Sequence, residues 1–209
     1  MNDESAPLDE NETELPAIDF HSPGRFAVHN PALPPNEFAP REPAPFQLAS
    51  HSPLERFELP EQAQAHALAL LQQARHSLCL YSTDLEPWLY NHSSAQEACT
   101  RLLLANPRNR LRILLRDVSR PVKQGHRLLN LARRLTSNLQ IRRINPDLPS
   151  EEVAYLLADG HGLLLRPQPD QHAGYALYND PGRVRLRQAQ FDQAWDNSLL
   201  DPDLRSFLL

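Results

Sequence analysis

From residue 60 onward the apolar positions recur with two periods in turn, one helical and one strand-like. Pro60 to Arg75 places Ala67, Leu68, Leu71 and Ala74 on one helical face. Ser77 to Ser82 reads as a short strand. Ser94 to Leu104 reads as a helix with Ala95, Ala98, Cys99 and Leu102 inward, stopped by Asn106-Pro107. Arg110 to Arg116 is a strand in which Leu111, Ile113 and Leu115 alternate with arginines. Ser119 to Thr136 predicts one helix, with Ser119 at its N-cap and Leu128, Leu131, Ala132 and Leu135 toward the core. Leu139 to Ile144 is a further strand, followed by a proline-bounded loop from Asn145 to Ser150. Residues 152–166 read as a hairpin: a buried strand, a tight Asp159-Gly160 turn and a return strand from Leu163 to Arg166. A strand at Tyr175 to Asn179, a turn at Asp180-Pro181-Gly182 and a helix over 187–199 burying Phe191 and Trp195 follow. Alternating helices and strands predict one α/β domain, a mixed, largely parallel sheet flanked by helices.

The first 60 residues lack this regularity. They hold 11 acidic residues against 3 arginines, a balance of −8, and 11 of the 20 prolines. Residues 61–209 hold 15 acidic and 18 basic residues, a balance of +3. A segment so poor in periodic apolar positions buries too little surface to offset its ordering entropy. Residues 1–56 are therefore expected to be a disordered acidic, proline-rich tail, and 57–209 the folded domain. Phe20, Phe26, Phe38 and Phe46 stand among the tail's prolines. They suit docking into a groove, on a partner or on the chain's own domain, while the plain alternative is a tether.

No apolar run reaches the roughly 20 residues that span a bilayer, and Met1 to Ser5 lacks the start of a signal peptide. The expectation is a soluble, cytoplasmic protein without membrane contact. Of 21 cationic residues only Lys123 is lysine, a bias that fits a GC-rich bacterial genome. Cys79 and Cys99 read as small buried hydrophobes. There is no metal-ligand set and no cofactor motif, so neither a metal nor a cofactor is expected.

The order of elements over about 60–200, ending in a hairpin with Asp at its turn, resembles one domain of the phospholipase D-like superfamily. That family's motif is His, any residue, Lys, four residues, Asp. Counting back from Asp159 puts Glu152 at the histidine position and Ala154 at the lysine position. The family's Gly-Ser-x-Asn element is replaced by Arg166-Pro167-Gln168-Pro169. As the resemblance implies, catalysis there forms a phosphohistidine, uses lysines to hold phosphate oxygens, and needs two motifs facing one another across two repeats or a homodimer. One repeat without His and Lys implies the fold without the reaction: a pseudoenzyme, leaning away from enzymatic activity, with homodimerisation as an inherited option.

Other chemistry is sparse. His126, His161 and His172 are isolated, and a turn histidine is more often surface decoration than a base. Asp84 and Glu86 end the first strand, where α/β sheets place ligands, with Trp88 and Tyr90 close behind. The plain reading is that Asp84 starts a turn and the aromatics pack on the sheet. Residues 101–143 hold 12 cationic side chains and one acid, Asp117. On a single helix, Arg120, Lys123, Arg127 and Arg134 would form one stripe, with Arg110, Arg112 and Arg116 alternating on the strand before it. The leading expectation is a protein-interaction or regulatory module with an unidentified protein partner. The alternative is nucleic-acid or phosphate binding through Arg116, Arg120, Lys123, Arg127, Arg134, Arg142 and Arg166. Arginines such as Arg116, Arg142 or Arg166 converging on Glu152, Ala154 and Asp159 would mark a rebuilt anion site; apolar filling would mark a closed one.

Overall fold

The structure is a computed structural model that describes residues 42–204. Its elements in chain order are β1 (Glu55–Phe57), α1 (Pro60–Gln73), β2 (Ser77–Ser82), α2 (Pro87–Tyr90), α3 (Ser93–Ala105), β3 (Arg110–Leu115), α4 (Ser119–Lys123), α5 (Arg127–Arg134), β4 (Leu139–Arg143), β5 (Ala154–Ala158), β6 (Gly162–Arg166), β7 (Gly174–Leu177) and α6 (Pro181–Asp196). A 3-10 turn, Pro202–Leu204, follows. The strands form one seven-stranded sheet in the order β1-β7-β6-β5-β2-β3-β4.

The mixed sheet flanked by helices is as expected, but the balance of pairing differs. Only β2–β3 and β3–β4 are parallel; β1–β7, β7–β6, β6–β5 and β5–β2 are antiparallel. Connection length explains the division. Helical crossovers through α3 and through α4–α5 return the chain to the same end of the sheet, whereas the short links between β5, β6 and β7 reverse it.

Alternation of side chains builds two cores. Leu78, Leu80, Leu111, Ile113, Leu156 and Leu164 face α1, α3 and α5. Tyr81, Leu114, Tyr155, Leu157 and Leu163 face α6, which brings Phe191 and Trp195. One arginine of β3 is used here. Arg112 donates to Asp192 at 2.7 Å and lies over the rings of Phe191 (5.1 Å) and Trp195 (5.4 Å), fastening α6 to the sheet.

Three expectations need correction. The single helix over 119–136 is two, α4 and α5, separated at Gly125, whose φ of +62° is left-handed and ends the first helix. Val118, not Ser119, precedes α4, and His126 caps α5 by accepting the Leu128 N–H at 3.2 Å. The last helix starts six residues earlier than the periodicity suggested, because Asp180 is its N-cap, accepting from Arg183 N–H at 2.9 Å, and Pro181 its first residue.

Residues 42–56, assigned by composition to the tail, are part of the fold. Gln73 accepts the Leu48 N–H and donates to the Phe46 carbonyl, both at 2.8 Å, and Ala49 N–H donates to Tyr178 O at 2.7 Å. The Phe46 ring stacks on His66 at 5.6 Å and tilts against Tyr178 at 5.5 Å. Of the tail aromatics, then, Phe46 docks on its own domain. Composition could not reveal this, because β1 and the Phe46 strap depend on partners more than 20 residues away. Phe20, Phe26 and Phe38 lie outside the described residues. Among the described residues no helix is long and apolar enough to cross a membrane.

Candidate functional site

The parallel strands β2 and β3 end on the side where β5 begins. This is the end of an α/β sheet at which unsatisfied backbone groups and loops collect. Here β2 leads into a tight loop. Leu85 and Glu86 adopt positive φ, +65° and +24°, and a web of short bonds holds them. Leu85 N–H donates to Ser82 Oγ (2.8 Å), Glu86 N–H to Asp84 Oδ1 (3.1 Å), and Ser82 Oγ–H to Glu86 Oε2 (2.7 Å). Asp84 therefore does form the turn, and the turn drives the Glu86 carboxylate inward, where only 4% of the residue is exposed.

Opposite it, Arg166 ends β6, a strand whose other side chains are leucines. A buried guanidinium needs a partner, and Arg166 has one: its Nη2 donates to Glu86 Oε1. Its Nη1 donates to the carbonyls of Pro169 (3.0 Å) and Gln171 (2.9 Å), folding the 167–171 loop around it. Trp88 lies 5.1 Å from the guanidinium and meets His172 edge-on at 4.4 Å. Burial pushes the Glu86 carboxyl up to about 7, against the opposing pull of Arg166 and the Ser82 hydroxyl.

Two further pairs close the rim. Arg120 donates to Asp84 Oδ2 at 2.6 Å. Arg116 reaches Glu152 at 3.3 Å and the Glu151 carbonyl at 2.7 Å. The hollow they enclose, about 560 Å³, is lined also by Trp88, Asp170 and His172. Three arginines do converge, and each meets a carboxylate. The place is neither an open anion cradle nor an apolar plug; it is a lattice of ion pairs.

The hairpin positions are divided between this place and the far end of the hairpin. Glu152 lies just before β5 with its side chain 85% exposed, and Ala154 is the buried first residue of β5, opposite Arg166. Asp159 lies at the far end of the strand, roughly 23 Å along the chain from Glu152 at about 3.3 Å per residue. There its carboxylate accepts the N–H groups of Arg75 (2.5 Å), His76 (2.8 Å) and Ser77 (2.8 Å), tying the α1–β2 link to the hairpin turn. Its φ of +50° suits the first turn position.

The remaining candidates scatter. Arg142 lies at 4.4 Å over Trp195 on the α6 side. The break at Gly125 divides the supposed stripe, leaving Arg120 and Lys123 on α4 and Arg127 and Arg134 on α5. Arg127 is held by Asn91 and Gln96 through its N–H (3.0 Å) and Nη1 (3.5 Å). Of the histidines, His161 bonds the Asp159 carbonyl at the turn (2.9 Å), while burial holds the His126 cap down to about 4, neutral at pH 7. Only His172 reaches the hollow. Among the described residues no group of three His, Cys, Asp or Glu side chains is arranged to hold a metal. The feature that sequence reasoning missed is the Glu86–Arg166 pair. Its available signal was an arginine ending an otherwise apolar buried strand.

Residues 59–207 match the family described as Domain of unknown function (DUF7931), and the chain belongs to that family. No curated protein matches the sequence. Among solved structures the chain is similar to TrmBL2, an archaeal chromatin protein, with TM-score 0.52 and 12% identity, covering 72% of this chain and 55% of that one. The chain thus spans about half the length of that protein. It is similar to Nuc, a phospholipase D family member from Salmonella typhimurium, with TM-score 0.50 and 12% identity over 70% of this chain and 95% of that one. It is also similar to NucT from Helicobacter pylori, with TM-score 0.50 and 8% identity over 70% and 98%. The fold is phospholipase D-like.

Proposed function

We propose that this DUF7931 member is a phospholipase D-like domain that has lost phosphodiester cleavage and acts as a protein-interaction or regulatory module. The observation that carries the reading is the hollow at the ends of β2 and β3, where Arg116, Arg120 and Arg166 are each engaged by Glu152, Asp84 and Glu86. A phosphodiester would have to displace carboxylates from all three, and Glu152 stands where the family's nucleophile is expected. His172 has no aligned nucleophile beside it and packs its ring against Trp88. Groups that act as a unit lose most of their rate when members are removed. The purified full chain, incubated with bis(p-nitrophenyl) phosphate and with single- and double-stranded DNA, is expected to release no product above buffer. Turnover that vanishes in the His172→Ala variant would refute the reading.

A second reading, binding of nucleic acid or another phosphate ligand through the basic tract, is supported by Lys123, Arg127 and Arg134. They are exposed and have no ion pair among the described residues. The solved structure of TrmBL2 is described as showing a novel mode of DNA binding by that protein. The reading ranks second because Arg112, Arg116, Arg120 and Arg143 of the same tract are paired with Asp192, Glu152, Asp84 and Asp201. Charge reversal at Arg127 and Arg134 should abolish a salt-sensitive gel shift if it is right.

A further inference from the structure

The edge of the sheet at β4 is a built surface that the ion-pair hollow does not use. The β3–β4 ladder is bracketed by Leu111 N–H to Asn138 O (2.9 Å) and Ile144 N–H to Leu115 O (2.8 Å). In a parallel ladder, alternate residues turn both backbone groups to one neighbour. That parity directs the amides and carbonyls of Leu139, Ile141 and Arg143 away from β3. Leu139 N–H is taken by Leu135 O at 2.9 Å. Arg143 exchanges both bonds with Leu199 at 2.9 and 2.8 Å, an antiparallel bridge. Ile141 is next in line, and on that side it has no backbone partner among the described residues.

Beyond Leu199 the chain leaves the edge, turning through Pro202–Leu204. It leaves a groove of about 410 Å³ between α5 and the C-terminal segment. Leu139, Ile141, Leu200 and Leu204 supply its apolar lining, and Leu200 is 58% exposed. Arg133 and Arg142 also line it, and each keeps a buried Nε with no hydrogen-bond partner among the described residues. Such unmet donors at a low-dielectric rim favour an anionic acceptor.

We propose that this groove receives an extended acidic peptide segment of a partner protein, which adds to the sheet antiparallel to β4 and continues the line of the Leu199 bridge. The inference rests on the interaction-module reading and names its surface and partner class. Strand addition supplies backbone bonds to Ile141, the apolar lining on the α5 side accepts alternate side chains, and the acidic positions between them fall on the Arg142 side, with Arg133 at the rim. Local charge supports that choice. Arg133 and Arg134 of α5 and Arg142 and Arg143 of β4 outnumber Asp201 and Asp203 of the C-terminal segment, four positive charges against two negative. A second copy of this chain would set Arg133 and Arg142 against themselves. A nucleic-acid backbone would leave the four apolar side chains and the Ile141 amide unmatched.

The test uses the full chain and two fluorescein-labelled peptides, Asp-Val-Glu-Ile-Asp-Val and its charge-reversed form Lys-Val-Lys-Ile-Lys-Val. The acidic peptide is expected to raise anisotropy on binding and to slow amide exchange over 139–143. Arg133→Glu and Leu200→Asp, two independent changes at the rim and the lining, should each weaken binding about tenfold or more, a loss of about 1.4 kcal/mol. Equal binding of the basic peptide, absence of protection over 139–143, or affinity unchanged in both variants would overturn the proposal. Duplex DNA that protects 139–143 and displaces the peptide would overturn it too. A protein partner that still binds both variants and protects other segments would remove the edge site while leaving the interaction-module reading in place. Phosphodiesterase turnover would remove the reading itself.

Discussion

The two ends of the β5–β6 hairpin each carry a carboxylate, Asp159 and Glu152, and the two do opposite things. At the turn, Asp159 accepts three backbone N–H groups from the segment between α1 and β2. At the open end, Glu152 is an exposed side chain touching Arg116 at 3.3 Å. One carboxylate organises backbone that has no other acceptor; the other decorates a rim. Beside the second stands Glu86, from another part of the chain, which holds the buried charge of Arg166. At the turn an acidic side chain satisfies backbone, and at the open end the buried charge is met by a residue from a different part of the chain.

The comparison is most severely tested at Arg166. Replacing it with alanine leaves Glu86 buried without its partner, and loss of up to about 3–5 kcal/mol is expected in urea unfolding. Replacing both partners together, Glu86→Leu with Arg166→Met, should recover most of that loss. If the double variant is no better than the single one, the pair is not the unit described here.

Titration offers a second test of the same end. The Glu86 carboxyl sits above its free value because burial disfavours its charge. The native chain therefore keeps a proton that the unfolded chain releases, and this contribution is complete below the free carboxyl's pKa of about 4.3. It fades as pH rises through about 7. Relative to Glu86→Gln, the native protein should lose stability between pH 4 and pH 8. Parallel stability curves for the two proteins would dismiss the effect.

At the turn, Asp159→Ala removes three acceptor bonds and places alanine at positive φ, for an expected loss of about 2–3 kcal/mol. Asp159→Asn, which keeps one acceptor oxygen and tolerates that backbone, should lose less. Smallest of all is Glu152→Ala, which should stay within about 0.5 kcal/mol, as an exposed pair contributes little. Thermal melts of the three variants rank the two ends directly. A Glu152 effect equal to that of Asp159 would erase the distinction.

Much of the architecture was legible in local pattern, and the failures have a common cause. The alternation in Leu111, Ile113 and Leu115 identifies β3, and the Asp-Gly pair identifies the hairpin, because each signal lies within a few residues. Gly125 was visible too, but a run of leucines at helical spacing masked the break that its positive φ imposes. The antiparallel majority was not legible, since which strands neighbour one another is settled by pairings such as Leu80 with Leu156, 76 residues apart. The same holds for the site. The sequence drew attention to Asp84, Glu86 and Arg166 separately. Only the positive-φ loop, which turns Glu86 inward while Asp84 meets Arg120, assigns each its partner.

The strand β1 has a consequence for anyone cutting this chain. It pairs with β7 through Glu55, Arg56 and Phe57, all of which lie before residue 59, where the family match begins. A fragment trimmed to that match would keep every element of the ion-pair hollow, yet bare the backbone of β7 and remove the Phe46 strap. An unprotected strand edge recruits other strands, so such a fragment should self-associate where the longer chain does not through this edge. The short first strand is thus a cover for the sheet, and its removal would turn a question of binding partners into one of aggregation.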